Sequence, residues 1–367
     1  MKKILFFLEY PLDLIGGVQL CTQTICKQLV DNKLGFEPVV VTPNLMNRNQ
    51  SFDFEVIEIG EVAKGFLEKI LLPIKFLKII LKNRPYIIHA QMPLSAMILG
   101  LMKTLKIINQ PLIFTDASFL PAYSKNSRRL FNFVYKSFDK VTCTTGLNVA
   151  QWQNTFKGVK VTLLYNTINQ NFENAIKTSI IKRDNAFIIG FAGRITDVKN
   201  WPLCLKIVEE LSSRIKDLHV HCVFSAYEDD EKAQMISYIN KLKSILGVER
   251  FVSYIDVPQE EMPNFYQQLD VFVLTSKMES FGITAIEAMA CNTSVIATRV
   301  GGLPEVVGLE SNLYAENEYM KCVNKIVEYY NNRDILANDK EYFLSRFSNM
   351  FSLSAFSKNI VQIYESI

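Results

Sequence analysis

The chain has 367 residues, of which 49% are hydrophobic and 21% charged, and its formal net charge is +3. This length suggests about two domains, and the composition supplies apolar side chains for two cores and excludes a disordered chain. No apolar run reaches the roughly 18 residues that a membrane-spanning helix requires.

The cysteines and histidines indicate no metal site. The seven cysteines are scattered without a CxxC pair, and the three histidines show no ligand-like spacing. We therefore expect free thiols in a reducing cytoplasm, no protein-bound metal and no cofactor.

The charge is distributed unevenly along the chain. Residues 1–160 hold 20 Lys and Arg against 11 Asp and Glu, a charge of +9, whereas residues 161–367 hold 20 against 26, a charge of −6. A basic first half indicates an anionic partner on that side. Because no nucleic-acid-binding motif is present, we expect a membrane surface or an acceptor on a pyrophosphate lipid rather than nucleic acid.

Strands and helices are predicted to alternate, which is typical of an α/β fold with doubly wound parallel sheets. The opening apolar run imitates a signal peptide, but Glu9 and Pro11 interrupt it without a cleavage pattern, so we interpret 3–8 as the first buried strand. Further strands of the first half are predicted at 37–42, 86–89, 111–114, 140–143 and 160–165.

Gly16 and Gly17 lie between the first strand and a helix predicted at 18–30. Without side chains, this backbone can approach a phosphate or a sugar closely. A simple turn before a helix is the alternative.

The segment 61–84 is predicted to contain a broadly apolar helix, with Pro73 in its first turn. Lys75, Lys78 and Lys82 share an arc of roughly 60° on this helix. The stripe predicts contact with an anionic membrane, and a helix packed on its sheet with one wet edge is the equal alternative.

The second half continues the alternation. Strands are predicted at 186–190, 220–224, 251–254, 271–274 and 295–297, and helices over 338–367. We predict an N-terminal domain at 1–169, a linker at 170–185, a second domain at 186–345, and a C-terminal helix at 346–367 that packs on the first domain.

The stretch 271–307 carries the most chemistry. A strand-like run ends in a polar loop with Glu279, and a helix predicted at 283–290 places Glu287 about one turn inside it. The free N–H groups and positive end of a helix suit a phosphate, and a glutamate one turn further in can reach ribose hydroxyls. This predicts a nucleotide-sugar pocket. A strand–helix–strand unit with two solvated glutamates is the alternative.

Glu279 and Glu287, with Ser280-Phe281-Gly282 after the first, resemble glycosyltransferase family 4, as do the segments EAMA at 287–290 and GGLPE at 301–305. The resemblance covers nearly the whole chain. It implies the GT-B fold: two Rossmann-like domains, an interdomain cleft, and C-terminal helices that cross back. It also implies retaining, metal-independent transfer, with the nucleotide sugar in the C-terminal domain and the acceptor in the N-terminal domain.

The resemblance implies roles for single residues. Arg194 and Lys199, in the loop after the first strand of the second domain, would grip the diphosphate, and Glu279 would orient the sugar, so these three are the predicted catalytic residues. The predicted donor-binding residues are Gly16, Gly17, Gly193, Ser280, Phe281, Gly282, Ile283 and Glu287.

The loop after strand 111–114 departs from the family pattern, because Ala117 stands where a histidine usually contacts the transferred sugar. Asp116 is a candidate substitute on the acceptor or sugar side, and a structural Asp that caps the loop is as well supported. Ser225-Ala226-Tyr227 replaces a common Gly-x-Gly turn, which is expected to alter donor packing.

Two further departures lie outside the predicted site. Asn292 and Ser294 replace Gly and Pro after the helix, and Asn tolerates the left-handed geometry of a C-cap. Thr167 and Asn169 replace Gly and Asp in the motif between the domains.

We therefore expect a cytoplasmic glycosyltransferase, peripheral on the plasma membrane, that moves a hexose or N-acetylhexosamine from a nucleotide sugar. A UDP-sugar is favoured, and the acceptor is expected to be a glycan or lipid-linked, as in bacterial surface polysaccharide, lipopolysaccharide or capsule synthesis. The alternative is a non-catalytic partner subunit that stabilises an active transferase. A sugar-nucleotide epimerase or a phosphorylase has no signal in the sequence.

Overall fold

The computed structural model of the chain describes residues 1–14, 16–61, 66–175 and 186–367. They form two compact units, Met1–Ile168 with Leu353–Ile367, and Asn169–Ser352. The predicted linker begins with a helix inside the second unit, and its remaining residues, 176–185, lie outside the described residues, as do 62–65 of the predicted apolar helix segment.

The first unit contains a parallel sheet with the strand order β3-β2-β1-β4-β5-β6-β7, counted over the described residues. Its strands are β1 Lys2–Phe7, β2 Phe36–Thr42, β3 Glu55–Glu58, β4 Ile87–Ala90, β5 Leu112–Asp116, β6 Lys140–Cys143 and β7 Val161–Leu163. Its helices are α1 Gly17–Asp31, α2 Phe66–Asn83, α3 Pro93–Thr104, α4 Lys125–Val134, α5 Gly146–Thr155 and, at the C-terminus, α14 Leu353–Glu365.

Helices cover both faces of this sheet, because successive strand residues point to opposite faces. Leu5 and Phe7 of β1 share one core with Phe76 of α2 and with side chains of α3, α4 and α5. Phe6 of β1 lies in the core on the other face with side chains of α1 and α14, Tyr364 among them. The C-terminal helix is therefore part of the first unit.

The second unit has a parallel sheet with the order β10-β9-β8-β11-β12-β13, again counted over the described residues. Its strands are β8 Phe187–Arg194, β9 Leu218–Ser225, β10 Phe251–Ile255, β11 Val271–Leu274, β12 Ser294–Thr298 and β13 Leu313–Tyr314. Its helices are α6 Gln170–Ala175, α7 Trp201–Ser212, α8 Asp229–Leu246, α9 Met262–Gln267, α10 Ile283–Ala290, α11 Leu303–Val307, α12 Tyr319–Asn331 and α13 Arg333–Met350.

Some element bounds differ from the predicted ones. The helix α2 begins at Phe66, so Pro73 lies in its interior rather than in its first turn. The change from the second unit to the first falls at Leu353, between α13 and α14, where 346 was predicted. The short strands β3 and β13 were not predicted, because half-buried or two-residue strands carry no clear apolar alternation.

Candidate functional site

The predicted donor residues of the second unit lie at the carboxyl edge of its sheet. The strand order reverses between β8 and β11, and in open parallel sheets this is where ligands bind. The loops that follow these two strands are joined, because Lys277 N–H donates to the carbonyl of Val198 at 2.8 Å and the Lys277 ammonium pairs with Asp197 at 2.6 Å. The edge is thus a preformed platform.

Lys199 and Glu279 come together across this platform. Their charged groups lie 2.9 Å apart, and both side chains are less than one-third exposed. Thr275 Oγ1 donates to the Lys199 carbonyl at 2.8 Å and fixes the backbone. A Cβ on Gly193 would stand 3.1 Å from the Lys199 side chain, so a glycine there lets the lysine lie close against β8.

Arg194 does not lie in the loop as predicted but is the last residue of β8, and its guanidinium is paired with Glu231. Its guanidinium donates to the Glu231 carboxylate at 2.7 and 3.3 Å and lies 4.7 Å from the centre of the Tyr227 ring. Backbone N–H groups of Tyr227 and Glu228 also donate to Glu231. These hydrogen bonds lower the pKa of Glu231, and the pair raises the pKa of Arg194.

The start of α10 requires its glycine. Gly282 has φ +103°, and an added Cβ would stand 2.5 Å from Leu303 Cδ2. Ile283 then begins the helix, whose first N–H groups have no partners within it. Phe281 was predicted to bind the donor, but its ring is buried and packs edge-on against Phe351 at 5.8 Å, so it anchors the loop and leaves only backbone for a ligand. Ser280 precedes it in the same loop.

Glu287 is buried beneath this helix start, with only 3% of its surface exposed. Its two oxygens accept hydrogen bonds from Gln259 Nε2 at 2.6 Å and from Tyr266 Oη at 2.8 Å. Burial raises the pKa of Glu287. Each carboxylate oxygen has a further lone pair, so a ribose hydroxyl could donate to Glu287 beside these two partners.

In the first unit, Gly16 precedes α1 in extended backbone and Gly17 is the first helical residue. Nearby in the fold, Glu9 follows β1 and its Oε1 accepts from Ser95 N–H at 2.6 Å, at the start of α3. Burial raises the pKa of Glu9 to about 7. The sheet order reverses between β1 and β4, so these residues stand at the corresponding switch point of the first unit.

Asp116 is a structural residue rather than a sugar contact. Its carboxylate is buried and accepts from Tyr123 Oη at 2.6 Å, Trp152 Nε1 at 2.6 Å and Ser118 N–H at 3.0 Å. Asn148 Nδ2 also donates to its carbonyl. These bonds hold the loop after β5, and the neighbouring Ala117 adds no polar group.

The predicted lysine stripe divides in the structure. Lys75 donates to the carbonyl of Ile59 at 2.6 Å, so it fastens α2 to the residue after β3 instead of facing outward. Lys78 and Lys82 are exposed.

Three side chains of the site in the second unit were not identified from the sequence: Glu231, Gln259 and Tyr266. Tyr227 was noted there only as part of a replaced turn. Glu231 had a local signal, because Glu228 and Glu231 form a capping box at the start of α8. Its pairing with Arg194, 37 positions away, depends on the register of β8 with β9. Gln259 and Tyr266 had no local signal.

Two features are absent from the described residues. No cluster of three or more His, Cys, Asp or Glu side chains with the geometry of a metal site was found there. In the same part of the chain, no helix combines the length and apolar character that crossing a bilayer demands.

Family models match most of the chain. The model for Glycosyltransferase Family 4 matches residues 15–172, and the model for Glycosyl transferases group 1 matches residues 172–343. The D-inositol 3-phosphate glycosyltransferase of Corynebacterium jeikeium is 30% identical over 186 residues, a match that covers 49% of this chain and 43% of that protein. The chain therefore spans less than half the length of this relative.

Two similarities extend over the full length. An uncharacterized glycosyltransferase of Methanocaldococcus jannaschii is 24% identical over 100% of this chain and 99% of its own. The crystal structure of Anabaena HepE in complex with UDP has a TM-score of 0.80 at 16% identity and covers 100% of both chains, and the same protein has also been solved with UDP-glucose. With both family models matched in series and the GT-B fold shared, the chain belongs to the group 1 glycosyltransferases of family 4.

Proposed function

We propose that this chain transfers a hexose or N-acetylhexosamine from a nucleotide sugar, with a UDP-sugar favoured, to a glycan or lipid-linked acceptor in surface polysaccharide synthesis. The transfer retains the anomeric configuration, and neither a protein-bound metal nor a covalent enzyme intermediate takes part. The second unit holds the donor and the first unit the acceptor. Family membership and the UDP and UDP-glucose bound by HepE support the donor class.

One observation carries the proposal: two cations and a helix N-terminus share the carboxyl edge of the second sheet. Arg194 ends β8, Lys199 follows in the next loop, and α10 begins after Gly282. A nucleoside diphosphate that leaves during transfer carries growing negative charge. Fixed cations and backbone N–H groups stabilise this charge without reorganising.

Each cation already has a carboxylate partner, so donor binding is an exchange. The diphosphate competes with Glu279 for Lys199 and with Glu231 for Arg194, whose bonds are 2.9 and 2.7 Å long. In this proposal Glu279, once released from Lys199, accepts hydrogen bonds from hydroxyl groups of the sugar. Glu287 accepts hydrogen bonds from the ribose hydroxyls. The proton of the acceptor hydroxyl passes to the leaving diphosphate oxygen as the new glycosidic bond forms.

The test is release of nucleoside diphosphate without acceptor, measured for UDP-glucose, UDP-galactose, both UDP-N-acetylhexosamines and GDP-mannose. We expect release from one donor. The variant Arg194→Ala should lower turnover by about 30-fold or more, since one such contact contributes on the order of 2–4 kcal/mol.

Arg214→Ala is the matched control, because Arg214 also pairs with a glutamate, Glu210, at 3.2 Å, but beyond the other end of α7. Equal loss in both variants would contradict the assigned role of Arg194.

The non-catalytic partner remains the second candidate, favoured by Ala117, which leaves no imidazole in the loop after β5. A partner subunit would release no nucleoside diphosphate from any donor and would bind neither UDP nor GDP. Co-expression with a transferase would then be needed for activity.

A further inference from the structure

The first unit contains a stretch whose positive charge is almost unopposed. Residues 69–138 hold 11 Lys and Arg but a single acidic residue, Asp116. Because Asp116 is buried and bonded internally, it does not offset charge at the surface. This stretch supplies most of α2 and all of α3 and α4.

These three helices form one surface. Side chains of all three lie in the same core on one face of the first sheet, among them Phe76 of α2, Leu99 of α3 and Phe131 of α4. The helix α3 packs against both α2 and α4. Their outward sides are therefore adjacent, and we call this outward side the three-helix face.

Large apolar side chains are exposed on the three-helix face. They are Leu71, Ile74 and Leu81 on α2, Leu105 just after α3, and Leu130 and Phe133 on α4. Leu81 is 65% exposed and Phe133 59% exposed, values typical of charged surface residues. Several such side chains on neighbouring helices mark an interaction surface rather than scattered exposure.

Exposed cations stand among these apolar groups. They are Lys78 and Lys82 on α2, Lys125, Arg128 and Arg129 on α4, and Lys136 just after it. Within the described residues none of the six forms an ion pair. On α4, Arg129 and Phe133 are four residues apart and so lie on the same side of the helix.

We infer that the three-helix face docks on a bilayer surface that contains anionic lipids. Aromatic and leucine side chains enter the interface between headgroups and acyl chains, while lysine and arginine hold the negative headgroups. A second copy of the chain fits less well, because two like-charged faces repel each other. The link to function, that docking brings the first unit to a lipid-linked acceptor, rests on the proposed function; the docking itself does not.

The experiment is co-sedimentation with vesicles of phosphatidylcholine alone or with 30% phosphatidylglycerol, at low and high salt, without donor or acceptor. We expect sedimentation with anionic vesicles only, weakened by salt. Arg128→Gln with Arg129→Gln should lower the partition coefficient by roughly 30-fold, as expected for two surface cations. Phe133→Ser should lower it at least a few-fold.

Lys27→Gln with Lys358→Gln is the matched control, because both lysines are exposed on α1 and α14, which cover the opposite face of the sheet. This variant removes the same charge and should bind as wild type does. No sedimentation with anionic vesicles, or equal losses in both double variants, would overturn the inference. Loss in the arginine variant with none in Phe133→Ser would show simple attraction to polyanions and would also overturn it.

Vesicle binding and nucleoside diphosphate release are separate readouts. Failure of docking with normal release would leave the proposed function standing. Failure of nucleoside diphosphate release with intact docking would overturn the proposed function and leave the docking inference standing.

Discussion

Arg194 and Lys199 hold carboxylates at 2.7 and 2.9 Å. The four charges nearly cancel, which keeps two cations oriented at the sheet edge without unpaired charge in a partly buried place. In the proposed function, a diphosphate replaces Glu231 and Glu279 at cations that are already ordered, which avoids the entropic cost of ordering free side chains.

Tyr227 orients Arg194 through its ring, which lies 4.7 Å from the guanidinium. We expect Tyr227→Phe to keep donor turnover close to wild type, because the ring face is retained. Tyr227→Ala should lower turnover about 2- to 5-fold, in line with a half-exposed cation–π contact of about 0.5–1 kcal/mol. Equal effects of both variants would contradict the ring's role.

Glu9 should make stability depend on pH. Its pKa is raised from 4.5 to about 7, so the folded state binds more protons than the unfolded state between these values. The stability that the neutral Glu9 carboxyl contributes to the folded state is fully present below pH 4.5 and is lost as the pH rises to about 7. Compared with Glu9→Gln, the wild type should therefore lose up to about 3 kcal/mol of unfolding free energy across this range.

The measurement is urea unfolding of both proteins from pH 4.5 to 8. Glu365→Gln is the control, since it removes an exposed carboxyl of the same unit. A difference between wild type and Glu9→Gln that stays constant from pH 4.5 to 8 would contradict the raised pKa of Glu9.

At this scale the sequence located the main charged residues but not their partners. Glu279, Glu287, Arg194 and Lys199 were recognisable from motif spacing. Side-chain pairing between residues tens of positions apart depends on strand register and loop path, which no local pattern encodes. Asp116 shows the same limit, because its bonds to Trp152 and Tyr123 decide its structural role.

At the scale of elements, the turn into α10 is the most constrained part of the site. The substitution Gly282→Ala would place a side chain at a residue with positive φ, and its Cβ would stand 2.5 Å from Leu303 Cδ2. We expect a loss of about 2 kcal/mol or more in unfolding free energy and a loss of donor turnover, because the helix start shifts. Urea unfolding and nucleoside diphosphate release check these two results.

Gly158→Ala is the matched control, because Gly158 also has a positive φ, +82°, but no heavy atom lies within 4 Å of an added Cβ. It should destabilise less and leave donor turnover unchanged. A Gly282→Ala variant with wild-type turnover would show that the position of α10 is not critical.

Elements between clear turn signals were predictable and weak ones were not. The bounds of β6, β11 and α10 agree with the predicted ranges. β11 is a continuous apolar run, and α10 is a helix-forming segment. β3 is half exposed and α6 is short, so neither stood out. The prediction that Pro73 lies in the first turn of its helix was wrong. The first turn is only the most frequent helical position of proline, and α2 contains Pro73 in its interior.

The whole chain combines two parallel-sheet units with opposite charge. The basic residues 1–160 lie within the first unit, and the acidic remainder contains the whole of the second. The resemblance of the sequence to family 4 is confirmed by the two family models and by the fold.

The most direct test of the account is calorimetric titration of UDP and GDP into wild type, Lys199→Ala and Arg214→Ala. We predict that one of the two nucleotides binds to wild type and to Arg214→Ala alike, and that Lys199→Ala weakens binding at least about 30-fold, the loss of one charge contact to a diphosphate. Absence of binding by either nucleotide, or equal binding to Lys199→Ala, would contradict a donor site at the carboxyl edge of the second sheet.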